Sequence, residues 1–340
     1  MFYNLILQKA KLSMNKFLKI ISINFLIFIL ILIILEITAR VGIFIIRGSS
    51  TTGINERTLN LDYEPYVMFG HKWEKQYSNL NSKKKIRIML LGGSTGEAFD
   101  VKILEKKIKE KINLETEIFN SAAGAYNARQ QLVLLSIWGK RINPEIVISF
   151  DGANDILHSL RGENEKGTFF LNHTFDTYLT KPYLGSFIYL IQNSQLYNGI
   201  VRLSRRYVSF DKNDHLDNID IYLEAKKNIS LISNAYGAYH ISILQPYLGF
   251  KENKSEREKA FTFYDFRDEI VKELFDYTDN KLKEMSDEFS DTYYFNSQNL
   301  YNINKTIFSD DFHFIDDYGY ELLSEEITQI IINKKILKKK

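Results

Sequence analysis

The sequence contains no cysteine. This absence excludes disulfide bonds, zinc sites built from thiolates and catalysis by a thiol. It also lacks an excess of charge of either sign, with 44 basic and 42 acidic residues, so there is no strongly basic surface of the kind that binds nucleic acid. Neither the Walker pattern nor the G-x-G-x-x-G dinucleotide pattern occurs, so neither nucleotide-binding loop is indicated.

What the chain does have is enough apolar sequence for a substantial core. It is 340 residues long, with 45% hydrophobic and 25% charged residues, which is typical of globular domains. That length accommodates one large domain or two small ones.

The most apolar stretch lies near the N-terminus, over residues 17–46, and residues 20–35 within it carry no charge. As a helix this uncharged part is about 24 Å long, close to the hydrocarbon thickness of a bilayer. Glu36 and Arg40 follow and, being four residues apart, can pair on one helix face. The stretch predicts an uncleaved transmembrane anchor. A cleaved signal peptide or a buried core helix is the alternative.

Positive charge precedes the uncharged part of this stretch, and positive charge stays on the cytoplasmic side of membranes. The pattern predicts residues 1–16 inside, 17–46 in the membrane and the rest of the chain outside, at the periplasm or the cell surface. The charges concerned are Lys9, Lys11, Lys16 and Lys19.

The remainder divides into a polar linker or pre-domain segment over residues 47–85, a domain over 86–333 and a basic tail over 334–340. Short apolar runs alternate with amphipathic stretches in this domain, which predicts an α/β fold with a parallel five-stranded sheet between two helical layers. Residues 155–239 exceed a simple crossover and predict a helical insertion, a possible cap over the site. The predicted strands cover residues 86–91, 116–120, 145–150, 240–245 and 292–296.

Three of the predicted loops carry polar side chains suited to catalysis. In a parallel sheet such loops share the carboxyl edge, where ligands bind. The first strand runs into Gly92-Gly93-Ser94-Thr95-Gly96, where Ser94 is either an exposed nucleophile or a helix cap. The third strand is followed by Asn154, whose amide can face an oxyanion or form an Asx turn.

The third loop precedes the last helix and contains Asp310 and His313. An aspartate three residues before a histidine can hold the imidazole as a general base for a serine. Asp155 and His158 have the same spacing and are a rival pair on a predicted helix.

In combination these three loops resemble the sequence blocks of the SGNH, or GDSL-like, hydrolases over roughly residues 86–332. The matching segments are Gly92-Gly93-Ser94-Thr95, Gly152-Ala153-Asn154-Asp155 and Asp310-Asp311-Phe312-His313. The resemblance implies a flavodoxin-like three-layer α/β/α domain with Ser94 as nucleophile, His313 as base and Asp310 as its orienting partner. It also implies that Asn154 and the backbone N–H of Ser94 donate to the oxyanion.

The second block departs from the family pattern. Where the family places a glycine whose N–H completes the oxyanion hole, this chain has Ala125, preceded by Gly124. A backbone donor does not require glycine, so Ala125 can serve if its φ is negative. Either Gly124 or Ala125 is expected to supply this donor.

The resemblance implies an extracytoplasmic serine esterase that forms an acyl-enzyme on Ser94, acts on small acyl esters such as carbohydrate O-acetyl groups, and needs neither a metal nor a cofactor. The expected partners are a small acylated substrate, for example a surface polysaccharide, and the membrane, which the N-terminal helix would span. Nucleic acid is not an expected partner. The alternatives are an O-acyltransferase, a lipase or lysophospholipase if residues 183–190 line an apolar channel, and a non-catalytic glycan-binding module.

Overall fold

The structure is a computed structural model of the full chain. It describes residues 2–47, 62–64, 66–71, 73, 77, 85–160, 191, 194, 196–197, 200, 213–262 and 268–337. The aromatic segment 183–190, on which the lipase alternative depends, lies outside the described residues, as does most of the predicted insertion.

The described elements follow the predicted alternation of strands and helices. In chain order they are α1 (Phe2–Arg47), β1 (Asp62–Glu64), β2 (Met68–Gly70), β3 (Ile86–Gly92), α2 (Ser94–Glu97), α3 (Val101–Ile112), β4 (Thr116–Asn120), α4 (Ala128–Ile142), β5 (Ile146–Asp151), α5 (Ala153–Ser159), α6 (Asn213–Ala235), β6 (Tyr239–Leu244), α7 (Glu256–Thr262), α8 (Asp268–Glu288), β7 (Thr292–Phe295) and α9 (Asp317–Asn333). Short 3₁₀ turns occur at Leu248–Phe250 and Gln298–Asn302.

Five of these strands form one parallel sheet in the order β4-β3-β5-β6-β7. Counted from β3, this is the flavodoxin-like order 2-1-3-4-5, which places a ligand crevice where the order reverses, beside the carboxyl ends of β3 and β5. The predicted parallel α/β fold is therefore confirmed. The strand bounds agree with the predicted ones to within one residue.

Alternate residues along each strand point to opposite faces of the sheet, and both faces are buried. Ile88 and Leu90 pack in the core under α3 and α9. Met89 and Leu91 pack in the core on the other face, under α4. This two-sided burial is why the central strands read as continuous apolar runs in the sequence.

The polar segment before β3 packs into the domain. Strands β1 and β2 pair as a small antiparallel hairpin. Val67, Phe69, Trp73 and Tyr77 of this segment are buried in the core on the α4 face of the main sheet. These four side chains make the segment part of the domain's own core, so it contributes to the stability of the domain.

Contacts divide the chain into two compact units, and the smaller contains Met1–Asn55 with Tyr178–Val208. Within it, α1 has a candidate membrane span over Lys16–Gly42 with a mean hydropathy of 3.0. The predicted Glu36–Arg40 pair is present at 2.8 Å. Glu36 also accepts hydrogen bonds from the Ser194 hydroxyl at 2.7 Å and the Leu196 N–H at 3.0 Å, which joins these two residues of the same unit to α1.

Candidate active site

The turn after β3 is built from residues without side chains because it is crowded on both sides. A Cβ at Gly92 would lie 2.7 Å from the Phe150 carbonyl oxygen, and one at Gly93 would lie 2.5 Å from Nδ2 of Asn154. Both distances are below the contact limit of real Cβ atoms. The glycines therefore allow β3 and β5 to bring Ser94 and Asn154 side by side at the sheet edge.

Ser94 begins α2 and meets the loop that precedes α9. Its Oγ lies 2.6 Å from Nε2 of His313. Nδ1 of the same imidazole lies 2.8 Å and 2.9 Å from the two carboxylate oxygens of Asp310. An ionised carboxylate only accepts hydrogen bonds, so the proton sits on Nδ1 and Nε2 is free to accept from the serine hydroxyl.

Asp310 is kept ionised by this arrangement. Burial alone would raise the pKa of its carboxyl, but the hydrogen bond and charge of His313 and the backbone N–H groups of Phe312 and His313 outweigh it, so the pKa lies below its ordinary value. Those two N–H groups each lie 2.9 Å from Oδ1. A fixed negative charge at this position both orients the imidazole and stabilises its protonated form.

The loop that carries the pair is braced by the backbone. Ser309 N donates to the His313 carbonyl at 2.8 Å, and Ile315 N donates to the Ile307 carbonyl at 2.9 Å. Phe308 and Phe314 form an isolated antiparallel bridge, and both rings are buried in the core next to α9. The His313 imidazole therefore lies on a closed, hairpin-like loop whose two ends are anchored by buried phenylalanine rings.

A second polar cluster joins this loop to α2, and the sequence patterns did not reveal it. Gln245, directly after β6, donates from Nε2 to the Thr95 hydroxyl and, at 3.0 Å, to the Phe312 carbonyl. The Tyr320 hydroxyl donates to the Thr95 carbonyl at 3.0 Å. Gln245 thus bridges Thr95, which follows Ser94, and Phe312, which precedes His313, while Tyr320 ties α9 to Thr95. A buried glutamine at a strand end was the available signal.

Asn154 lies beside the turn that carries Ser94. Its Nδ2 donates to the Tyr126 carbonyl at 2.9 Å and lies beside Gly93. An amide nitrogen has two N–H groups, and the contact with Tyr126 uses one of them.

The segment 123–126 forms a tight turn closed by the Tyr126 N–H and the Ala123 carbonyl at 3.2 Å. Ala125, the third residue of this turn, has φ +64°. The condition of a negative φ, under which Ala125 was expected to serve as a donor, is therefore not met. A type II turn requires a positive φ at this position, which is why glycine is preferred there.

No acceptor among the described residues takes the N–H of Gly124, Ala125 or Ser94. A Cβ placed on Gly93 would lie 3.4 Å from the Tyr126 carbonyl oxygen, so the turn at residues 123–126 borders the Ser94 loop.

Behind Asn154 lies a buried charged cluster. Lys226 on α6 donates to the Asp151 carboxylate at 3.0 Å and 3.2 Å, and the Tyr222 hydroxyl donates to it at 2.9 Å. Asp155 accepts from the Ala128 N–H at 3.2 Å, which ties the end of the Asn154 loop to the start of α4. Burial, and then the negative charge of Asp151, raise the pKa of Asp155 to about 8.

The other described histidines are engaged elsewhere. His240 is fully buried between the Ser149 and Ser230 hydroxyls, each at 2.8 Å. Burial and the nearby charge of Lys226 hold the His240 pKa well below its usual range. His215 contacts the Ser159 carbonyl at 2.9 Å. The side chain of the rival His158 lies outside the described residues. Among those described, no cluster of three or more histidine or carboxylate groups could hold a metal ion.

The sheet is parallel, and the loops after its strands bring a serine, an amide and an Asp–His pair to one edge. No known family model matches the sequence, and no curated protein matches it.

Several solved structures are similar to this chain. A lipase, Lip_vut3, from a goat rumen metagenome has a TM-score of 0.46 at 13% identity, covering 72% of this chain and 97% of its own. A GDSL-like lipase from Bacteroides thetaiotaomicron has a TM-score of 0.43 at 11% identity, covering 77% and 96%. A catalytic mutant of the acetylxylan esterase Axe2 from Geobacillus stearothermophilus has a TM-score of 0.43 at 11% identity, covering 75% and 95%.

Proposed function

We propose that the protein is a serine esterase that hydrolyses carboxylic esters through an acyl-enzyme on Ser94. The observation that carries this proposal is the 2.6 Å contact between Ser94 Oγ and His313 Nε2, with Asp310 bound to the opposite ring nitrogen. This is the constellation that turns a weakly nucleophilic hydroxyl into an attacking group.

The reaction proceeds in two halves. As Ser94 Oγ attacks the ester carbonyl carbon, its proton passes to Nε2 of His313, and the imidazolium forms next to the ionised Asp310. His313 then gives this proton to the departing alkoxide, which leaves as the alcohol. Water, deprotonated by His313, attacks the acyl-enzyme and releases the carboxylic acid, and the proton returns to Ser94.

The negative charge that develops on the carbonyl oxygen needs donors that are already in place. The free N–H of the Asn154 amide and the backbone N–H groups of Ser94 and of the turn at Gly124 or Ala125 are suited to this role. Preorganised donors of this kind contribute about 3–4 kcal/mol each to transition-state stabilisation.

We infer a location outside the cytoplasm, with α1 as the anchor. The exposed apolar side chains of the span Lys16–Gly42 and the lysines before it support this orientation. A small acyl group on a carbohydrate of the cell envelope is the proposed substrate, and this part rests on the family resemblance and the location.

The test is hydrolysis of 4-nitrophenyl acetate by the full-length protein in detergent micelles. We expect Ser94→Ala to reduce kcat by at least about a thousandfold, because the variant loses the nucleophile. Ser136→Ala is the matched control, since this serine lies on the exposed face of α4 and donates to its own helix.

Equal activity in Ser94→Ala and the wild type would show that Ser94 is not the nucleophile. A wild type that neither hydrolyses the ester nor is labelled on Ser94 by a fluorophosphonate would show that the proposed function is wrong.

A further inference from the structure

A second polar pair lies one helical turn from the nucleophile, and the triad does not use it. Glu97 ends α2, three residues after Ser94, so the two side chains occupy neighbouring positions on this short helix, with Cβ atoms about 5–6 Å apart. Oε1 of Glu97 lies 2.7 Å from Nε2 of His71.

His71 is held in place by the segment that precedes β3. The Tyr126 hydroxyl donates to the Phe69 carbonyl, and Nε2 of Gln130 donates to the Val67 carbonyl at 2.9 Å. The buried Trp73 ring packs edge-on against the imidazole, with ring centroids 5.1 Å apart. The imidazole therefore has a fixed support on one side and Glu97 on the other.

The second carboxylate oxygen of Glu97 faces the turn that carries the candidate oxyanion donors. A Cβ placed on Gly124 would lie 3.2 Å from Oε2. The His71 side chain is 37% exposed and that of Glu97 is 15% exposed, so a ligand can reach the pair without a rearrangement of the fold. The pair thus borders both the nucleophile helix and the Gly124 turn.

We propose that His71 and Glu97 form a subsite for a hydroxyl group of the alcohol portion of the ester, which makes the substrate class acylated polyols and carbohydrates. This inference rests on the proposed esterase function. A carboxylate accepts strongly from a hydroxyl, and the neighbouring imidazole offers a second donor or acceptor, a combination that suits vicinal hydroxyls. A simple aryl or alkyl ester has no group to place there.

The test compares two ester substrates with the full-length enzyme. One is a mono-O-acetylated methyl glycoside with a free hydroxyl beside the ester, and the other is 4-nitrophenyl acetate, which has none. We expect Glu97→Gln to lower kcat/KM about tenfold to a hundredfold on the glycoside, the effect of losing a hydrogen bond to a charged group. Activity on 4-nitrophenyl acetate should stay within about twofold of the wild type.

Two controls separate recognition from support of the fold. His71→Asn should show the same selective loss, whereas Glu110→Gln, on the exposed face of α3, should change neither substrate. With the deoxy analogue of the glycoside, which lacks the neighbouring hydroxyl, the wild type and Glu97→Gln should have equal kcat/KM.

Each other outcome overturns the subsite. Equal losses on both ester substrates would show that the pair only braces the segment against α2. No loss on either, or a wild type that cleaves 4-nitrophenyl acetate but not the glycoside, would reject the substrate class while leaving the esterase function standing. A wild type inactive on both would remove the proposed function itself.

Discussion

At the scale of single residues, Ala125 has a backbone conformation that alanine rarely adopts. An alanine at φ +64° is strained, because its Cβ approaches the following carbonyl oxygen, at a cost of about 1–2 kcal/mol. Such strain persists where the surrounding structure holds it, here through the turn between Ala123 and Tyr126.

We expect Ala125→Gly to raise the free energy of unfolding by up to about 1 kcal/mol, because glycine relieves this strain and part of the gain offsets its larger unfolded-state entropy. Urea unfolding of the full-length protein, followed by circular dichroism, measures the change. Ala122→Gly is the matched control, since Ala122 is buried without a positive φ and its substitution should destabilise. A destabilisation by Ala125→Gly equal to that of the control would contradict the strain argument.

At the scale of elements, the segment before β3 packs against one side of the candidate site. Its buried aromatic residues stack on one another, with Trp73 and Tyr77 ring centroids 6.1 Å apart and nearly parallel. The Tyr77 hydroxyl lies 2.5 Å from the Ser121 hydroxyl, beside the turn that carries Gly124. This segment therefore packs against the same loop that supplies the candidate oxyanion donors.

We expect Trp73→Ala to lower the free energy of unfolding of the domain by about 3–5 kcal/mol, because it leaves a large cavity in a close-packed core. Tyr66→Ala in the same segment is the control, because Tyr66 is 67% exposed and its loss should cost no more than about 0.5 kcal/mol. Urea unfolding of the full-length protein measures both. A Trp73→Ala midpoint equal to that of the control would show that the segment is a linker without a structural role.

At the scale of the whole molecule, the buried acidic groups behind the site couple the fold to pH. Burial and the charge of Asp151 raise the pKa of Asp155 to about 8, well above its unfolded value of about 3.9. The folded state therefore binds this proton more tightly than the unfolded state. The resulting stability is fully present below the unfolded pKa and is lost as the pH rises through about 8.

We expect the free energy of unfolding to fall by up to about 1.4 kcal/mol per pH unit from pH 5 to pH 8 through this carboxyl and to level off above that range. Asp155→Asn, which cannot ionise, should lose this slope. Urea midpoints at pH 6, 7 and 8 measure it, with Asp287→Asn as the control because Asp287 is exposed at the end of α8. A slope unchanged in Asp155→Asn would show that another group causes the pH dependence.

Much of the fold and the three-loop site could be predicted from local pattern. Short apolar runs indicate strands that are buried on both faces. Because parallel strands have their carboxyl ends at one edge of the sheet, Ser94, Asn154 and His313 could be placed together from the sequence. The glycines before Ser94 could be recognised as a tight turn, because glycine has no side chain to obstruct one.

The remaining features depend on contacts between distant parts of the chain, which local pattern does not encode. Gln245 reaches Thr95 across 150 residues, and His71 reaches Glu97 across 26. The left-handed backbone of Ala125 follows from the closed turn around it rather than from the preference of alanine. The sequence alone therefore determined the fold class and which loops meet at the sheet edge. Tertiary packing decided how the side chains on those loops are held and which neighbours surround them, because that packing joins residues that the sequence keeps far apart.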